Sequence, residues 1–590
     1  ETTPRYGRLA SGAGGGGPLL GGINVQGRYN PKQKRSDRFE EPGGDFVDRE
    51  DQDDTRDGDD YSANLSYTRE IGPGRLSIDG FYVKTDRTET EHSLEYNDPT
   101  SSSRDHLLSI NDQREDIDQD NWSLGVEYVF DMAGGRTEFD LDYARFDDGT
   151  RSTEEESKYD DEDTPPAFDE REGVRTLTDT RDSEATFKLA HKRGIGAATF
   201  ESGVDFMDKR RETTLQVSEV STDEEGAPLP PYDGFDRNDS RIDERRIDPY
   251  LMLSGTAGAL AWEAGVRYET TDVDVAFDGD AASNDYNTLL PSAHVKWDMT
   301  DVDRLLFSLG RTVRRPNFDQ VLPLTLEGEF GDNDFTGNPQ LDPERAWGVD
   351  FGYERRLGAR GVVGVNVFYR DVKDLIETVN TGEPSATALD DYDDEVVEFL
   401  DENPGATPAT PGYPQFDPDS FVYTARNVGD GKVYGVEFDL STPLTALGLP
   451  DTGLFVNYSW LDSKVTDAFG ERRFNNQAKY VYNVGFIQDI REWGMAFGAS
   501  YRRQGDAYAR VLAEEVSTHY DGDLEVFVEK RFGDRMSLRL TGSNLLDAHK
   551  DEVFDKFDNA ADQLDRDYDE YELESEKSGP VYQLIMRYSF

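Results

Sequence analysis

The 590-residue sequence has no cysteine, which excludes a disulfide scaffold, a thiolate metal site and a cysteine nucleophile. It has no apolar run of ~18 residues or more, so nothing in it is equipped to span a bilayer as a helix. Basic residues are scarce beside acidic ones: 63 Lys and Arg against 123 Asp and Glu leave a formal charge of −60. Phosphate backbones need a basic surface, so nucleic-acid binding is excluded. Histidine is rare, and His92, His106, His191, His294, His519 and His549 show no metal-ligand spacing. No nucleophile-elbow pattern surrounds a serine, and Gly14–Gly17 lacks the strand and helix that frame a dinucleotide fingerprint. The residues give catalysis no footing, and the chain reads as a non-enzyme.

What the sequence does contain is rings and alternation. Mean hydropathy is low at −0.77, yet 29 Tyr, 32 Phe and 6 Trp are too many for a solvated coil. From Ala346, Trp347, Val349, Phe351 and Tyr353 alternate with Gly348, Asp350, Gly352 and Glu354. Val363, Val365, Val367 and Tyr369 alternate with Gly364, Asn366, Phe368 and Arg370, and Met536, Leu538 and Leu540 with Ser537, Arg539 and Thr541. A period of two belongs to strands; helical periodicity is almost absent. Short Gly-bearing turns such as Gly72-Pro73-Gly74, Met132-Ala133-Gly134-Gly135 and Phe532-Gly533-Asp534-Arg535 alternate with long polar stretches near 31–59, 97–118, 150–173, 221–240, 319–345, 378–419 and 548–577. About 20 strands emerge in this way.

Such strands, apolar on one face and polar on the other, suit a sandwich, a propeller or a transmembrane barrel. No blade-length repeat is present. Regular alternation of short turns and long connections favours an antiparallel outer-membrane β-barrel, with its apolar face to lipid. Several strands exceed the ~9–11 residues of a bilayer crossing and are expected to project beyond it. A barrel of this size has a lumen too wide for side chains to fill, so it needs a plug or acts as a pore.

Several stretches, in order, resemble the TonB-dependent outer-membrane receptor family: RTVRRPNFDQVLP around Arg311, GNPQLDPERAWGVDFGYE, VVGVNVFYRDVKDLIE, RNVGDGKVYGVEFDLS, NYSWLDSKV, GSNLLD and a last strand ending in Phe590. The resemblance is dense over residues 300–590 and weaker from 23 to 300. It implies 22 strands, a location in the outer membrane of a Gram-negative bacterium, an N-terminal plug and coupling to the TonB complex. Residues 1–22 then read as a remnant of plug and linker, with Ile23–Asn30 the first strand and 23–590 the barrel. The resemblance leads to the expectation that the plug is largely absent from these residues, whether removed, left out or carried on a separate or accessory chain. Pro316, Pro339 and Pro343 redirect strands, and Gly435 and Glu437 fall on the lumenal face. The stripe Tyr582, Leu584, Met586, Tyr588 and Phe590 resembles the signal read by the barrel-assembly machinery, and serves equally as a lipid-facing strand.

Candidate binding residues lie in the long connections. Rings at Phe330, Phe335, Tyr392, Tyr413, Phe416, Tyr568 and Tyr571 could stack on a ligand or pin their own loops. Acidic clusters at Asp45–Asp60, Glu154–Asp163, Asp390–Glu402 and Asp562–Glu576 read first as solvated loops. Asp53 and Asp57, and Asp332 and Asp334, partly echo a Ca²⁺ loop without its closing glutamate. Outer-membrane lipid and lipopolysaccharide are the expected surroundings. The reading that results is TonB-dependent uptake of a scarce nutrient (a ferric chelate, vitamin, oligosaccharide or peptide). The alternatives are a passive or separately plugged pore and a surface scaffold. The acidic loops argue mildly against a strongly anionic ligand.

Overall fold

The computed structural model describes residues 6–15, 19–160, 165–326, 333–416, 418, 420–467, 469–533 and 535–588. Their 28 strand segments all join one sheet. Each long strand pairs antiparallel with the next, from Leu19–Phe39 against Phe46–Ile71 to Met536–Ser543 against Val581–Tyr588. The ring closes where Gln33–Phe39 pairs with Tyr571–Lys577. A closed sheet leaves no open edge for hydrocarbon to penalise by several kcal/mol per unpaired group; here the closing pairs lie above the apolar belt, and lower down Tyr6–Gly15 pairs along the first long strand. Among the described residues no helix is long and apolar enough to cross a membrane.

Segments outnumber the expected strands because several staves break in two. Glu570–Lys577 continues beyond Pro580 as Val581–Tyr588, and Met495–Gln504 continues beyond Gly505-Asp506 as Ala507–Val511. Proline has no N–H for the ladder and marks one break. Traced as staves, the ring has about twenty, below the twenty-two that the family resemblance implies. The first long strand starts at Leu19, before the expected Ile23. Tyr6–Gly15 pairs with its free edge, Gly14 opposite Gly21, so described residues of the expected plug remnant belong to the sheet.

Two further expectations are corrected by strand length. Residues 31–59 and 150–173, read as loops, lie mostly within strands of 21, 26, 26 and 29 residues. At ~3.3 Å per residue a 26-residue strand runs ~85 Å, far more than a bilayer crossing needs. Most large exposed apolar side chains of the long strands lie near the short turns, among them Leu65 and Ile71, Trp122 and Leu124, Phe139 and Leu141, with Val47 an exception at the far end. Beyond that belt these four strands are mostly polar on both faces, so their period-two hydrophobic signal fades while the backbone ladder continues. Turns at the belt end are tight, with Gly72 at φ 60° and Gly134 at φ 73°. At the far end most connections are long, but Asp278-Gly279 is a two-residue hairpin with both φ positive, the type I′ signature.

The faces assigned to lipid and lumen agree with this geometry. Trp347, Val349 and Phe351 are exposed, while Gly348 and Gly352 are buried. Val365, Val367 and Tyr369 are exposed, and inward Asn366 donates to Glu437 at 3.0 Å. Gly435 lies under inward Phe368, whose Cζ would stand 2.7 Å from a Cβ there. Tyr582, Leu584 and Met586 form an exposed stripe on the final described strand; Phe590 lies outside the described residues, as does the side chain of Tyr588.

The apolar core sits inside the barrel. Leu215, Ile242, Val273, Val275 and Tyr286 are buried on the faces opposite exposed Phe206, Ile247, Tyr268 and Leu289 of the same strands. The connection between Asp303–Arg314 and Glu344–Leu357 folds inward to cover them. Its short helix Phe318–Val321 is started by a capping box between Asn317 and Gln320. Phe318, Val321, Leu322, Leu324 and Leu341 pack on the wall.

Candidate ligand vestibule

The strands that rise above the belt enclose a charged mouth. On the first long strand, Lys32, Lys34 and Arg38 face the lumen, opposite in phase to exposed Ile23 and Val25. Arg38 donates to Asp48 at 2.8 Å and to Glu95 and Glu50 at 3.3 Å. Lys32 meets Glu576 at 3.2 Å and Lys34 meets Glu574 at 3.9 Å across the closing seam. Lys556 bridges Glu570 at 2.7 Å and Glu572 at 3.4 Å. Asn111 donates to Glu154 at 2.8 Å. Carboxylates outnumber cations along this wall, and burial sets their titration. Burial, with Asp48 adding to it, pushes Glu95 up to about 7 against the pull of Arg38. Burial raises Asp48 as well, again against Arg38. Glu572 is also buried, yet Lys556 and Arg38 hold it below the usual carboxylate range.

The opposite wall is roofed by loops that interlock. Arg315 pairs with Glu269 and Arg211 with Asp319. Asn284 donates to the Leu341 carbonyl at 2.8 Å, and Asn338 to the Ala425 carbonyl at 3.2 Å. Asn427 accepts from the Asp342 N–H at 2.9 Å and donates to the carbonyls of Asp342 and Asp374. Gly337 abuts Leu322, where a Cβ would fall 2.2 Å from the carbonyl oxygen. The residues carrying the family resemblance, Arg315-Pro316, Gly337-Asn338-Pro339 and Pro343-Glu344, therefore converge on one inward-folded loop.

That loop is tied to its neighbours. Asp334–Thr336 runs parallel to Val422–Thr424. Asp334, 2% exposed, accepts the Ala386 N–H at 2.9 Å at the start of the helix Ala386–Glu402. The Ser385 and Ser420 hydroxyls pair at 2.6 Å. Asn380 reaches the Leu512 carbonyl at 3.2 Å, and Arg566 reaches Glu515 at 2.7 Å.

The candidate rings are dispersed through this roof. Tyr392 meets Phe416 edge-on at 5.0 Å, and Tyr413 meets Phe399 at 5.5 Å, clasping the helix to the chain that follows it. Phe335 packs against the inner core. Tyr568 stacks near Phe557 at 5.1 Å and Tyr571 at 6.4 Å, and Tyr571 lies 6.4 Å from Phe39. These contacts pin the loops. Phe330 and Asp332 lie outside the described residues. The calcium-loop reading is corrected for Asp53 and Asp57: they stand in the strand Phe46–Ile71, where four residues span ~13 Å, so they do not converge on one ion. Asp334 is occupied as a helix cap.

Two features escaped the sequence reading. The 17-residue helix Ala386–Glu402 lies in a stretch taken as acidic loop; Ser385 as N-cap and the spacing of Leu389, Tyr392, Val396 and Phe399 were its signals. On the lumenal face, Glu127, Glu138 and Asp140 bring carboxylate oxygens within 4.8 Å of one another, with Lys188 paired to Glu138 and Asp140. Their assembly from neighbouring strands has no signature along the chain.

A TonB dependent receptor-like β-barrel family matches residues 43–545. No curated protein matches the chain. Among solved structures, the siderophore receptor PiuA from Acinetobacter baumannii is similar with a TM-score of 0.54 at 12% identity, over 98% of this chain and 79% of that one. The copper transporter OprC gives 0.51 at 11% identity, over 95% and 85%. The unliganded ferric citrate transporter FecA gives 0.50 at 11% identity, over 94% and 78%. At these identities the likeness concerns the fold.

Proposed function

Because the chain belongs to the TonB-dependent receptor β-barrel family, a family of Gram-negative outer-membrane transport receptors, we propose that it takes up a scarce nutrient presented as a cationic or neutral species, such as a positively charged metal chelate or a basic peptide. The observation carrying this reading is the acidic inner mouth, where Asp48, Glu50, Glu95, Glu154, Glu572 and Glu574 face a common space. A lumen with a surplus of one sign of charge focuses oppositely charged solutes and raises their local concentration. A polyanionic chelate meets repulsion there.

In this reading the ligand enters between the charged wall and the loop roof, and energy delivered through TonB drives its passage. The edges of Tyr392, Phe416 and Tyr568 offer stacking surface at the rim. The exposed Tyr582, Leu584 and Met586 stripe serves barrel assembly and then faces lipid. Uptake of a radiolabelled cationic chelate by cells carrying the chain, with and without a protonophore, tests the proposal. Uptake abolished by the protonophore is expected. Uptake that persists unchanged supports the passive pore instead.

A further inference from the structure

Two amides on the inner wall of the upper barrel are turned the same way. Gln52, Ser93 and Asn111 form one row across neighbouring strands, Gln52 opposite Ser93 and Ser93 opposite Asn111. The row faces the lumen, because Gln52 also stands opposite inward Lys34. The next row towards the membrane is Asp54, Glu91, Gln113 and Glu154. Gln52 donates its Nε2 to Asp54 at 2.9 Å, and Asn111 donates its Nδ2 to Glu154 at 2.8 Å. An ionised carboxylate only accepts, so these bonds fix which way round each amide sits. Each amide leans towards the membrane and keeps its oxygen in hand.

Those oxygens are buried. Gln52 and Ser93 are each 5% exposed. Among the described residues, neither Gln52 Oε1 nor Asn111 Oδ1 has a hydrogen-bond partner. A buried acceptor left unmet costs about 1–3 kcal/mol. The wall's own cations are directed elsewhere: Lys34 to Glu574 at 3.9 Å, Lys32 to Asp54 and Glu576, and Lys158 to Glu172 at 3.1 Å. Negative charge is crowded here as well. Burial lifts Glu156, which stands opposite Asn111, above the usual carboxylate range even with Lys158 nearby.

Gln52 and Asn111 are two strand spacings apart, ~10 Å between backbones. A glutamine side chain, an asparagine side chain and one cation held by bonds of ~2.4 Å cross that gap. Amide oxygens, a hydroxyl and carboxylates form an all-oxygen donor set, which suits a hard cation. Ca²⁺ accepts such ligands in irregular geometry, whereas Mg²⁺ demands an octahedron and gives up its waters reluctantly. We propose that the upper barrel binds one Ca²⁺ between Gln52 Oε1 and Asn111 Oδ1, over Ser93, with Asp54, Glu91 and Glu154 balancing its charge. The ion braces Phe46–Ile71 to Leu107–Met132 where these strands rise clear of the membrane.

Calorimetric titration of Ca²⁺ into the full, chelator-treated chain in detergent tests this, with excess Mg²⁺ present to occupy the acidic surface. One saturable site per chain is expected. Gln52→Leu and Asn111→Leu should each weaken it by about tenfold or more, with heat-modifiability on gels unchanged. Gln52→Glu keeps an oxygen and should retain the site. Asp53→Asn combined with Asp57→Asn, exposed on the opposite face of the same strand, should leave binding as it was. No saturable binding over Mg²⁺, binding that survives Gln52→Leu, or an equal loss in the Asp53 and Asp57 variant would overturn the proposal. Equal losses in Gln52→Leu and Gln52→Glu would also overturn it, since they would trace to the lost bond to Asp54. No transported ligand enters the titration, so its outcome is independent of the uptake reading.

Discussion

On one side of the mouth, Arg38 is held among Asp48, Glu50 and Glu95, and lysines of the first stave meet glutamates of the last. On the other, Ile242 and Leu341 are 0% and 1% exposed beneath an inward-folded loop. Both walls are the inner face of one sheet. On the first wall ions line the lumen, and opposing charges satisfy those that are buried, such as Asp48 with Arg38 and Glu572 with Lys556. Where the loop covers it, an apolar cluster fills the interior and charges beside it are paired, as Arg315 with Glu269 and Arg314 with Glu344, because a buried charge without a partner costs several kcal/mol. The covered wall thus behaves like a small globular core, and the open wall like a ligand-facing surface.

The comparison is broken most directly by hollowing the covered side. Leu341→Ala should cost about 2–5 kcal/mol locally, seen as faster hydrogen exchange across 333–343 with the Arg38 seam unaffected. Equal loss of protection on both walls would show that they are one cooperative unit. Next in size is the contrast between lipid and lumen. Val349→Arg should destabilise the folded barrel by roughly 2–4 kcal/mol, while Asn366→Arg, facing the lumen, should assemble and stay heat-modifiable. Identical losses of heat-modifiability would invert the assigned faces.

The charged wall should respond to pH through Glu95. Glu95 titrates at about 7 in the folded chain against an ordinary 4.5. Its contribution is therefore fully present below pH ~4.5 and lost as pH rises through about 7, a change of roughly 1–3 kcal/mol. Glu95→Gln should flatten that dependence in a denaturant series read at the seam. The smallest effect belongs to the partly exposed pair Lys34–Glu574: Lys34→Gln should change stability by less than ~1 kcal/mol and less still in high salt.

Much of the membrane belt was legible in the sequence because lipid on one side and lumen on the other impose a period of two, as at Trp347, Val349 and Phe351. Above the belt that constraint disappears. Residues 31–59 carry charges on both faces, so they looked like loop although the ladder persists through them. The inward loop was visible only as motif residues, since Asn338 and Ala425 meet across 87 positions of chain. Tyr392 and Phe416 were recognisable as loop aromatics, but their mutual contact depends on a helix that a run of Asp and Glu concealed. Glu127, Glu138 and Asp140 come together only through strand register.

The decisive measurement is the association rate of a cationic and an anionic chelate of the same metal with the purified chain, followed across ionic strength. The acidic mouth should make the cationic chelate bind faster, with a rate that falls steeply as salt rises, and Glu572→Gln with Glu574→Gln should weaken that dependence. Faster binding of the anionic chelate, or rates indifferent to salt, would contradict an electrostatic vestibule.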